Sequence, residues 1–376
     1  MTSLAVRGGS VDVAVDGSVI TVVDPPTSEH AHRVIDATDC SVLPGFIDLQ
    51  VNGAVGVDLT SQPQPHHLGE VAAFLVSCGV TSFMPTVISS SADDTAAAIS
   101  ALAASSHFGA RSLGIHLEGP FLNPLRAGAH PVHQLRPPSL AEAQGWRNDT
   151  GVAMVTLAPE LSNALDVIEH LVANGVVVCA GHTMANPDEI DAAIAAGVRG
   201  VTHLFNAMGP INAREPGPAG ATLANAELIA GLIVDGLHVD PVMVRLAWQA
   251  LGPDRIALVT DAIAALGLPQ GKYSVGETHV VVDDRGARTP EGVLAGSVLR
   301  FDDAVRNLMA FTGCDLADAS LAASATPARL AQRPDIGRLA AGCLADIVVL
   351  DQHHQVVATV VGGQVVFDPD ERCKEH

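Results

Sequence analysis

Eight short apolar runs alternate with helix-like segments through the middle of this 376-residue sequence. The runs are rich in strand-forming residues, and most are followed by Ala-rich segments, two of which have predicted N-caps at Ser91 and Ser162. Strands alternating with helices form parallel sheets, and eight such units close a (β/α)₈ barrel. The sequence therefore predicts an α/β fold, a TIM-like barrel with strands in FIDLQVNG (from residue 46), TSFMPTVIS (81), SLGIHLEG (112), VAMVTLAPE (152), VVVCAGH (176), GVTHLFN (200), LIAGLIVDG (228) and IALVTDA (256).

The two ends of the sequence have a different pattern, in which short alternating strands are separated by Gly and Pro turns. We expect residues 1–44 to form an antiparallel β segment, and residues 335–376 show the same pattern. The two segments are predicted to pair as one small β-sandwich domain beside a barrel of residues 45–334. The run SVGETHVVVDD, after the eighth apolar run, predicts an inserted hairpin.

Composition restricts the partners of the protein. Twenty Lys and Arg residues against 41 Asp and Glu residues give a formal net charge of −21, which disfavours nucleic acids and anionic membranes. The sequence shows no secretory-type leader and no apolar run that could span a bilayer, so we expect a cytoplasmic location. Its six cysteines form no CxxC pair, which favours reduced thiols.

Two histidines follow neighbouring apolar runs in the stretch 176–208. His182 and His203 each come after a β-branched run, and Asn186-Pro187 begins a predicted helix between them. Such a strand–helix–strand unit makes the two strands parallel, so both imidazoles would lie at one rim of the barrel. Either histidine alone could equally be a buried structural residue. The other polar residues at the ends of the runs are Gln50, Asn52, Thr86, Glu118, Glu160, His238 and Asp261.

Glu118, His182 and His203 together supply one oxygen and two nitrogen ligands, which suits Zn²⁺ with a fourth position open to water. Asp261 would lie beside that water and could take its proton, although it could also be a helix N-cap. On the first strand, Gln50 and Asn52 share one face where two histidines would complete a second site, and amides are weak zinc ligands. We therefore expect one divalent ion per chain, with Zn²⁺ as the first candidate.

Three other histidines are alternative ligands. His66 and His67 precede a helix-like segment and are expected at the surface. His116 lies two residues before Glu118 on the same strand face, so it could be a ligand, a neighbour of the ligands or a core residue.

The loop from residue 120 to 138 is long, proline-rich and polar, as expected of a flap over the rim. His130 in this flap could donate a hydrogen bond to a polarised carbonyl oxygen. Arg214, in the loop after the sixth run, could hold a phosphate together with His238. For Arg214 alone, an exposed loop arginine is the simpler interpretation.

Several short motifs resemble the N-acetylglucosamine-6-phosphate deacetylases, a family of the amidohydrolase superfamily. The resemblance covers effectively the whole sequence, and HLEGPF together with THLFNAM is its most specific part. The motifs are HLEGPF (116–121), GHT (181–183), THLFNAM (202–208), REPG (214–217), DGLHV (235–239), TDA (260–262) and LAGS (294–297).

This resemblance implies that Glu118, His182 and His203 bind the metal and that Asp261 is the general base and acid. It implies a homodimer in which Arg214 reaches the site of the partner subunit, and it places His130 near the reacting carbonyl. The substrate contacts that we expect are Gln50, Ala129, His130, Asn206, Ala207, Arg214, Asp235, His238, Leu294, Ala295 and Gly296.

The sequence thus predicts metal-dependent hydrolysis of the acetamide of N-acetylglucosamine 6-phosphate to glucosamine 6-phosphate and acetate. One alternative is another amide or imide hydrolase of the superfamily, such as a dihydroorotase-like enzyme or an N-acyl amino acid deacylase. A cyclic amidase would usually have a first-strand histidine pair and a bridging lysine, and the strand ends contain neither. The other alternative is a catalytically silent sugar-phosphate-binding protein, and a proton-transferring Asp261 beside a metal set disfavours it.

Overall fold

The computed structural model describes residues 3–24, 31–103 and 108–375. At its centre, eight parallel strands form a nearly closed barrel, and each strand coincides with one of the eight apolar runs. The predicted (β/α)₈ barrel is therefore confirmed. Numbered along the chain, the barrel strands are β1 (Phe46–Val51), β2 (Val80–Ile88), β3 (Ile115–Glu118), β4 (Val152–Leu157), β5 (Val177–Ala180), β6 (Gly200–Val201), β7 (Ile229–Leu232) and β8 (Ile256–Leu258).

Neighbouring barrel strands pair in chain order, and the barrel closes where the chain beyond β8 returns to β1. A parallel bridge joins Val51 to Ala262, and the amide of Asn52 donates to the carbonyl oxygen of Ala262 at 2.8 Å. A side-chain hydrogen bond lies beside this bridge: the hydroxyl of Thr260 donates to the buried carboxylate of Asp48 at 2.5 Å.

A helix follows each barrel strand and buries one face. In the fourth of these helices the buried residues recur at helical spacing, at Ala164, Val167, Ile168 and Leu171. None of the helices in the described residues is long and apolar enough to cross a membrane. The helices are α1 (Pro65–Leu75), α2 (Ala92–Ala103), α3 (Leu140–Ala143), α4 (Ala164–Ala173), α5 (Pro187–Ala196), α6 (Gly217–Ala224), α7 (Pro241–Leu251), α8 (Phe301–Thr312), α9 (Leu316–Ser320) and α10 (Thr326–Leu330).

Of the three predicted helix starts, those at Ser91 and Asn186 are confirmed and the one at Ser162 is wrong. Ser91 accepts a hydrogen bond from the amide of Asp94 at 3.1 Å and begins α2, whose predicted last residues, 104–106, lie outside the described residues. Ser162 does not cap α4, because that helix begins at Ala164 after Asn163. Asn163 has a left-handed φ of 65° and makes no side-chain cap bond, so backbone conformation sets this start.

Both ends of the chain contribute strands to two further sheets. One sheet has the order Cys373–Glu375, Arg33–Asp36, Ser3–Arg7, Val13–Asp16, Val19–Val23, and the other has Gln364–Phe367, Val356–Val361, Ile347–Leu350, Ser41–Pro44. N-terminal and C-terminal strands thus pair within each sheet, as predicted. The all-antiparallel expectation was wrong at one pair, because Ser3–Arg7 and Arg33–Asp36 are parallel. Alternating apolar residues predict strands but do not set the direction of pairing.

The strand Ile347–Leu350 connects these sheets to the barrel. Ile347 and Val349 lie in the core between the two sheets, whereas Val348 and Leu350 join the barrel core, because successive side chains of a strand point to opposite faces. The domain boundaries at residues 44 and 334 stay a prediction.

The predicted insertion after β8 is present as a small antiparallel sheet rather than a simple hairpin. Its strands are Gly271–Val275, Thr278–Asp283 and Gly286–Arg288, and the third strand was not predicted. Val275, at the end of the first of these strands, faces the cavity described below.

Candidate active site

The loops after the barrel strands enclose a cavity of about 460 Å³, a size that suits a small-molecule ligand. Because the strands are parallel, the residues that follow them meet at one end of the barrel. The strand-end residues that line the cavity are Asn52, Glu118, His182, His203, His238 and Asp261.

Three of these strand-end residues have a left-handed backbone, which non-glycine residues seldom adopt. The φ angles are 48° at His182, 32° at His203 and 51° at Asp261. Each such conformation costs about 1–3 kcal/mol and persists only where the surrounding structure enforces it. The sharp turns after β5, β6 and β8 direct these side chains into the cavity instead of along the strands.

Glu118, His182 and His203 form a compact triangle of buried polar atoms. Oε1 of Glu118 lies 3.2 Å from Nε2 of His182 and 2.9 Å from Nε2 of His203, and the two nitrogens are 3.1 Å apart. Ligands of a tetrahedral Zn²⁺ with bonds of roughly 2.0–2.1 Å stand about 3.3 Å apart. The spacing of the three atoms therefore fits the ligand set of one metal ion.

The hydrogen bond made by the ring of His182 supports the same conclusion. Nδ1 of His182 lies 2.7 Å from the carbonyl oxygen of Arg126, and a carbonyl can only accept, so Nδ1 carries the proton. In the neutral ring, Nε2 then presents a lone pair to the carboxylate oxygen of Glu118. Two facing lone pairs repel, whereas a cation between them would bind both. The residues present thus fit a divalent metal ion.

His130 is a geometric alternative as a ligand, because Glu118, His130 and His182 offer ligand atoms within 4.8 Å of one another. The contacts of Ser89 favour a different role. The backbone amide of Ser89 donates to Nδ1 of His130 at 3.3 Å, and the Ser89 hydroxyl lies 2.8 Å from the same nitrogen. An amide can only donate, so Nδ1 accepts and Nε2 carries the proton. His130 therefore offers the cavity an N–H donor.

Two side-chain amides, one in β1 and one directly after it, hold the carboxylate of Asp261. Asn52 donates from Nδ2 to Oδ1 of Asp261 at 2.7 Å, and Gln50 donates from Nε2 to the same oxygen at 3.1 Å. Gln50 also donates to Oε1 of Glu118 at 3.1 Å, so it links the two carboxylates. Both amides occupy Oδ1, and Oδ2 is the Asp261 oxygen that neither of them uses.

The titratable groups of the cavity have divergent pKa values. Burial, followed by the charge of Glu118, raises the pKa of Asp261 to about 6. Burial alone would raise the pKa of Glu118, but the contact with His130 and the contact and charge of His203 hold that pKa well below its usual range. Burial lowers the pKa of His130 to about 4. Near neutral pH, Glu118 is therefore a charged ligand and His130 a neutral donor, while Asp261 can exchange a proton.

The expected substrate contacts divide into two groups. Among the described residues, Ala129, His130, Asn206, Ala207, His238, Leu294 and Gly296 line the cavity. The others lie behind or outside its wall: Gln50 lies against Asp261, Ala295 is fully buried, Asp235 accepts from Nδ1 of His238 at 2.7 Å, and Arg214 is exposed.

The structure places the three alternative histidines outside this cluster. His116 is a core residue, with Nδ1 2.9 Å from the carbonyl oxygen of Leu49 and Nε2 2.7 Å from the hydroxyl of Thr156. Both of its nitrogens are therefore used within the barrel. His66 and His67 lie in the first turn of α1, away from the cavity.

The sequence did not predict several residues of the cavity wall. Leu125 and Arg126 from the flap, Ile88 at the end of β2, and Val275 and Val293 from the region after β8 line it. The flap was predicted as a lid, but which of its side chains face inward depends on its two short 3₁₀ turns. The apolar residues had no signal that separated them from core residues.

The family model described as "Amidohydrolase family" matches residues 41–366. Together with the barrel and the metal-compatible cluster at its strand ends, this match shows that the chain belongs to the amidohydrolase family.

Several proteins similar to this chain are deacetylases of amino-sugar phosphates. The chain is 34% identical to N-acetylglucosamine-6-phosphate deacetylase of Bacillus subtilis (96% of this chain, 93% of the relative). It is 36% identical to N-acetylgalactosamine-6-phosphate deacetylase of a Shewanella species (89% and 85%). Its structure matches a mutant N-acetyl-D-glucosamine-6-phosphate deacetylase of Mycobacterium smegmatis, solved with N-acetyl-D-glucosamine-6-phosphate, at a TM-score of 0.89 and 35% identity (97% and 98%). The resemblance inferred from the motifs is confirmed.

Proposed function

We propose that this protein hydrolyses the acetamide of N-acetylglucosamine 6-phosphate to glucosamine 6-phosphate and acetate. The main support for this proposal is the composition of one cavity. It contains the triangle of Glu118, His182 and His203, and beside it the N–H donor His130 and the carboxylate of Asp261. The deacetylases that resemble the chain over nearly its whole length support this substrate class.

Glu118, His182 and His203 would hold one divalent ion, with Zn²⁺ as the first candidate. When bound, such an ion polarises a carbonyl group and lowers the pKa of water. Gln50 and Asn52 support a single ion per chain, because amides are weak ligands and both side chains already donate to Asp261.

Asp261 would carry the proton through the reaction. As water attacks the acetamide carbon, Oδ2 of Asp261 accepts a proton, and Nε2–H of His130 donates a hydrogen bond to the oxygen that gains negative charge. Asp261 then gives the proton to the nitrogen as the C–N bond breaks, so that acetate and the free amine leave. Because the Gln50 and Asn52 amides both occupy Oδ1, Oδ2 can accept the proton and return it.

Phosphate recognition would come from His238 and from Arg214 of a second subunit. Asp235 accepts from Nδ1 of His238 at 2.7 Å and fixes this ring at the cavity wall. Arg214 lies at an exposed turn closed by backbone hydrogen bonds between Asn212 and Glu215, outside the cavity of its own chain. A contribution from Arg214 would therefore require the site of a neighbouring chain in a homodimer, as the family resemblance implies.

Acetate release from three sugars tests this function. We expect the 6-phosphate of N-acetylglucosamine to have a kcat/KM about 10–150-fold above that of the unphosphorylated sugar, as loss of a charge-assisted hydrogen bond implies. The 6-phosphate of N-acetylgalactosamine is the third substrate, because the Shewanella relative is named for it. Faster acetate release from this epimer would make N-acetylgalactosamine 6-phosphate the preferred substrate of the same amide hydrolysis. No acetate release from either sugar phosphate would refute the proposed function.

A further inference from the structure

Glu160 is a strand-end carboxylate that the proposed chemistry does not use. It lies three residues after the end of β4, is half-buried, and does not belong to the described cavity wall. Its Oε1 accepts hydrogen bonds from the Asn123 side chain at 2.8 Å and the Met184 amide at 2.7 Å. Its Oε2 accepts from the Thr183 hydroxyl at 2.5 Å. Both oxygens are therefore committed to protein groups.

These partners belong to two segments that meet at His182. Thr183 and Met184 directly follow this histidine, and Asn123 begins the flap turn Pro124–Arg126, where its side chain accepts from the Leu125 amide at 2.9 Å. Glu160 thus joins the flap turn to the segment that carries a metal-ligand candidate.

The flap turn also contacts His182 directly, at two points. The amide of Asn123 donates to the carbonyl oxygen of His182 at 3.0 Å. The carbonyl oxygen of Arg126 accepts from Nδ1 of His182 at 2.7 Å, the bond that places the proton on Nδ1 and the lone pair on Nε2. The flap turn therefore fixes both the orientation and the tautomer of this imidazole.

We propose that Glu160 is a positioning residue that fastens the flap turn against His182 and so holds this imidazole ready to bind metal. The proposal rests on the metal site assigned above. Removal of the carboxylate would leave the Asn123 amide, the Met184 amide and the Thr183 hydroxyl without their acceptor, and the turn would no longer be held. Loss of such an outer partner of a metal ligand typically weakens metal binding about 10–100-fold.

Four variants test this role by Zn²⁺ titration of metal-free protein in competition with a chromogenic chelator. Glu160→Ala removes every contact, and we expect about 10–100-fold weaker Zn²⁺ binding. Asn123→Asp places a second carboxylate against Glu160 and should have a similar effect without altering Glu160 itself. Glu160→Gln keeps an acceptor oxygen for the Asn123 and Met184 amides, and its Nε2 can donate to the Thr183 hydroxyl, so it should keep most of the affinity. Glu169→Ala, at an exposed site on α4, is the matched control and should bind Zn²⁺ normally.

The titration needs no substrate, so it separates this proposal from the proposed function. Unchanged Zn²⁺ affinity in Glu160→Ala and Asn123→Asp, or Glu160→Gln binding as weakly as Glu160→Ala, would overturn the positioning role. If Zn²⁺ binding follows the expected pattern but the wild-type protein releases no acetate, the role of Glu160 stands and the proposed function fails. A wild-type protein that binds no divalent ion would overturn both.

Discussion

Asp261 and Glu118 show how neighbouring carboxyl groups acquire different chemistry from their surroundings. Both are buried, but three histidines contact Glu118, whereas two neutral amides contact Asp261. The His130 contact and the charge of His203 keep Glu118 ionised, while burial and the charge of Glu118 raise the pKa of Asp261 to about 6. Environment, and not residue type, therefore separates a ligand from a proton carrier.

The proton-carrying role predicts the effect of Asp261→Asn. This change keeps the shape of the side chain but removes the proton acceptor, so turnover should fall by about 10²–10⁴-fold. Metal content and substrate binding should survive, which metal analysis and substrate titration would check. Near-normal turnover would remove Asp261 from the mechanism.

The contact between Ser89 and His130 predicts a smaller effect. Ser89→Ala removes the hydroxyl that lies 2.8 Å from Nδ1 of His130, and an ordinary hydrogen bond of about 0.5–1.5 kcal/mol corresponds to a loss of about 2–10-fold in kcat. The control is Ser90→Ala, since the Ser90 hydroxyl contacts Thr95 and not His130. Equal kcat values for the two variants would contradict the assigned role of Ser89.

At the scale of elements, a buried acid lies at the closure of the barrel. Asp48 of β1 is fully buried and accepts from the Thr260 hydroxyl at 2.5 Å and the Thr260 amide at 3.2 Å. Burial raises the pKa of Asp48 to about 7, although the hydrogen bonds of Thr260 oppose this shift. The contact joins the first strand to the segment after the last, next to the bridge from Val51 to Ala262.

This raised pKa predicts how stability changes with pH. The folded state holds the Asp48 proton more tightly than the unfolded state does. The contribution of protonated Asp48 to the free energy of unfolding is therefore full below about pH 3.8 and is lost as pH rises through about 7. Asp48→Asn removes the titration, so its unfolding free energy relative to wild type should rise by about 1–4 kcal/mol between pH 4 and 7. Urea unfolding at several pH values would measure this difference. A constant difference would show that Asp48 does not titrate in this range.

The sequence predicted elements better than contacts between them. Eight apolar runs alternating with helix-like segments were sufficient to predict the barrel, and the geometry of parallel strands then brings His182, His203 and Asp261 to one rim. Ser89 and Glu160 had no such signal for their roles, because their partners stand 41 residues away at His130 and 37 residues away at Asn123. Contacts across loops depend on tertiary packing, which no local pattern encodes.

At the scale of the whole molecule, a net charge of −21 opposes an anionic substrate, so local cations must outweigh the general field. Arg214→Ala should therefore lower kcat/KM for the phosphorylated sugar about 10–150-fold and leave the unphosphorylated sugar little changed. If Arg214 acts in the neighbouring site, mixing Arg214→Ala chains with Asp261→Asn chains should restore one competent site per heterodimer. Heterodimers without restored activity would place Arg214 in its own subunit or outside the mechanism.

The central claim is that one metal ion held by Glu118, His182 and His203 supports acetamide hydrolysis, and the most direct test measures bound metal and acetate release on the same samples. Purified protein is stripped with a chelator, reloaded with Zn²⁺ in steps, and assayed on N-acetylglucosamine 6-phosphate, with His182→Ala and His203→Ala as the ligand variants. We predict that activity rises in proportion to bound Zn²⁺ and saturates at one ion per chain, and that both variants lose the ion. Full activity in metal-free protein, or saturation only at two ions per chain, would contradict the account.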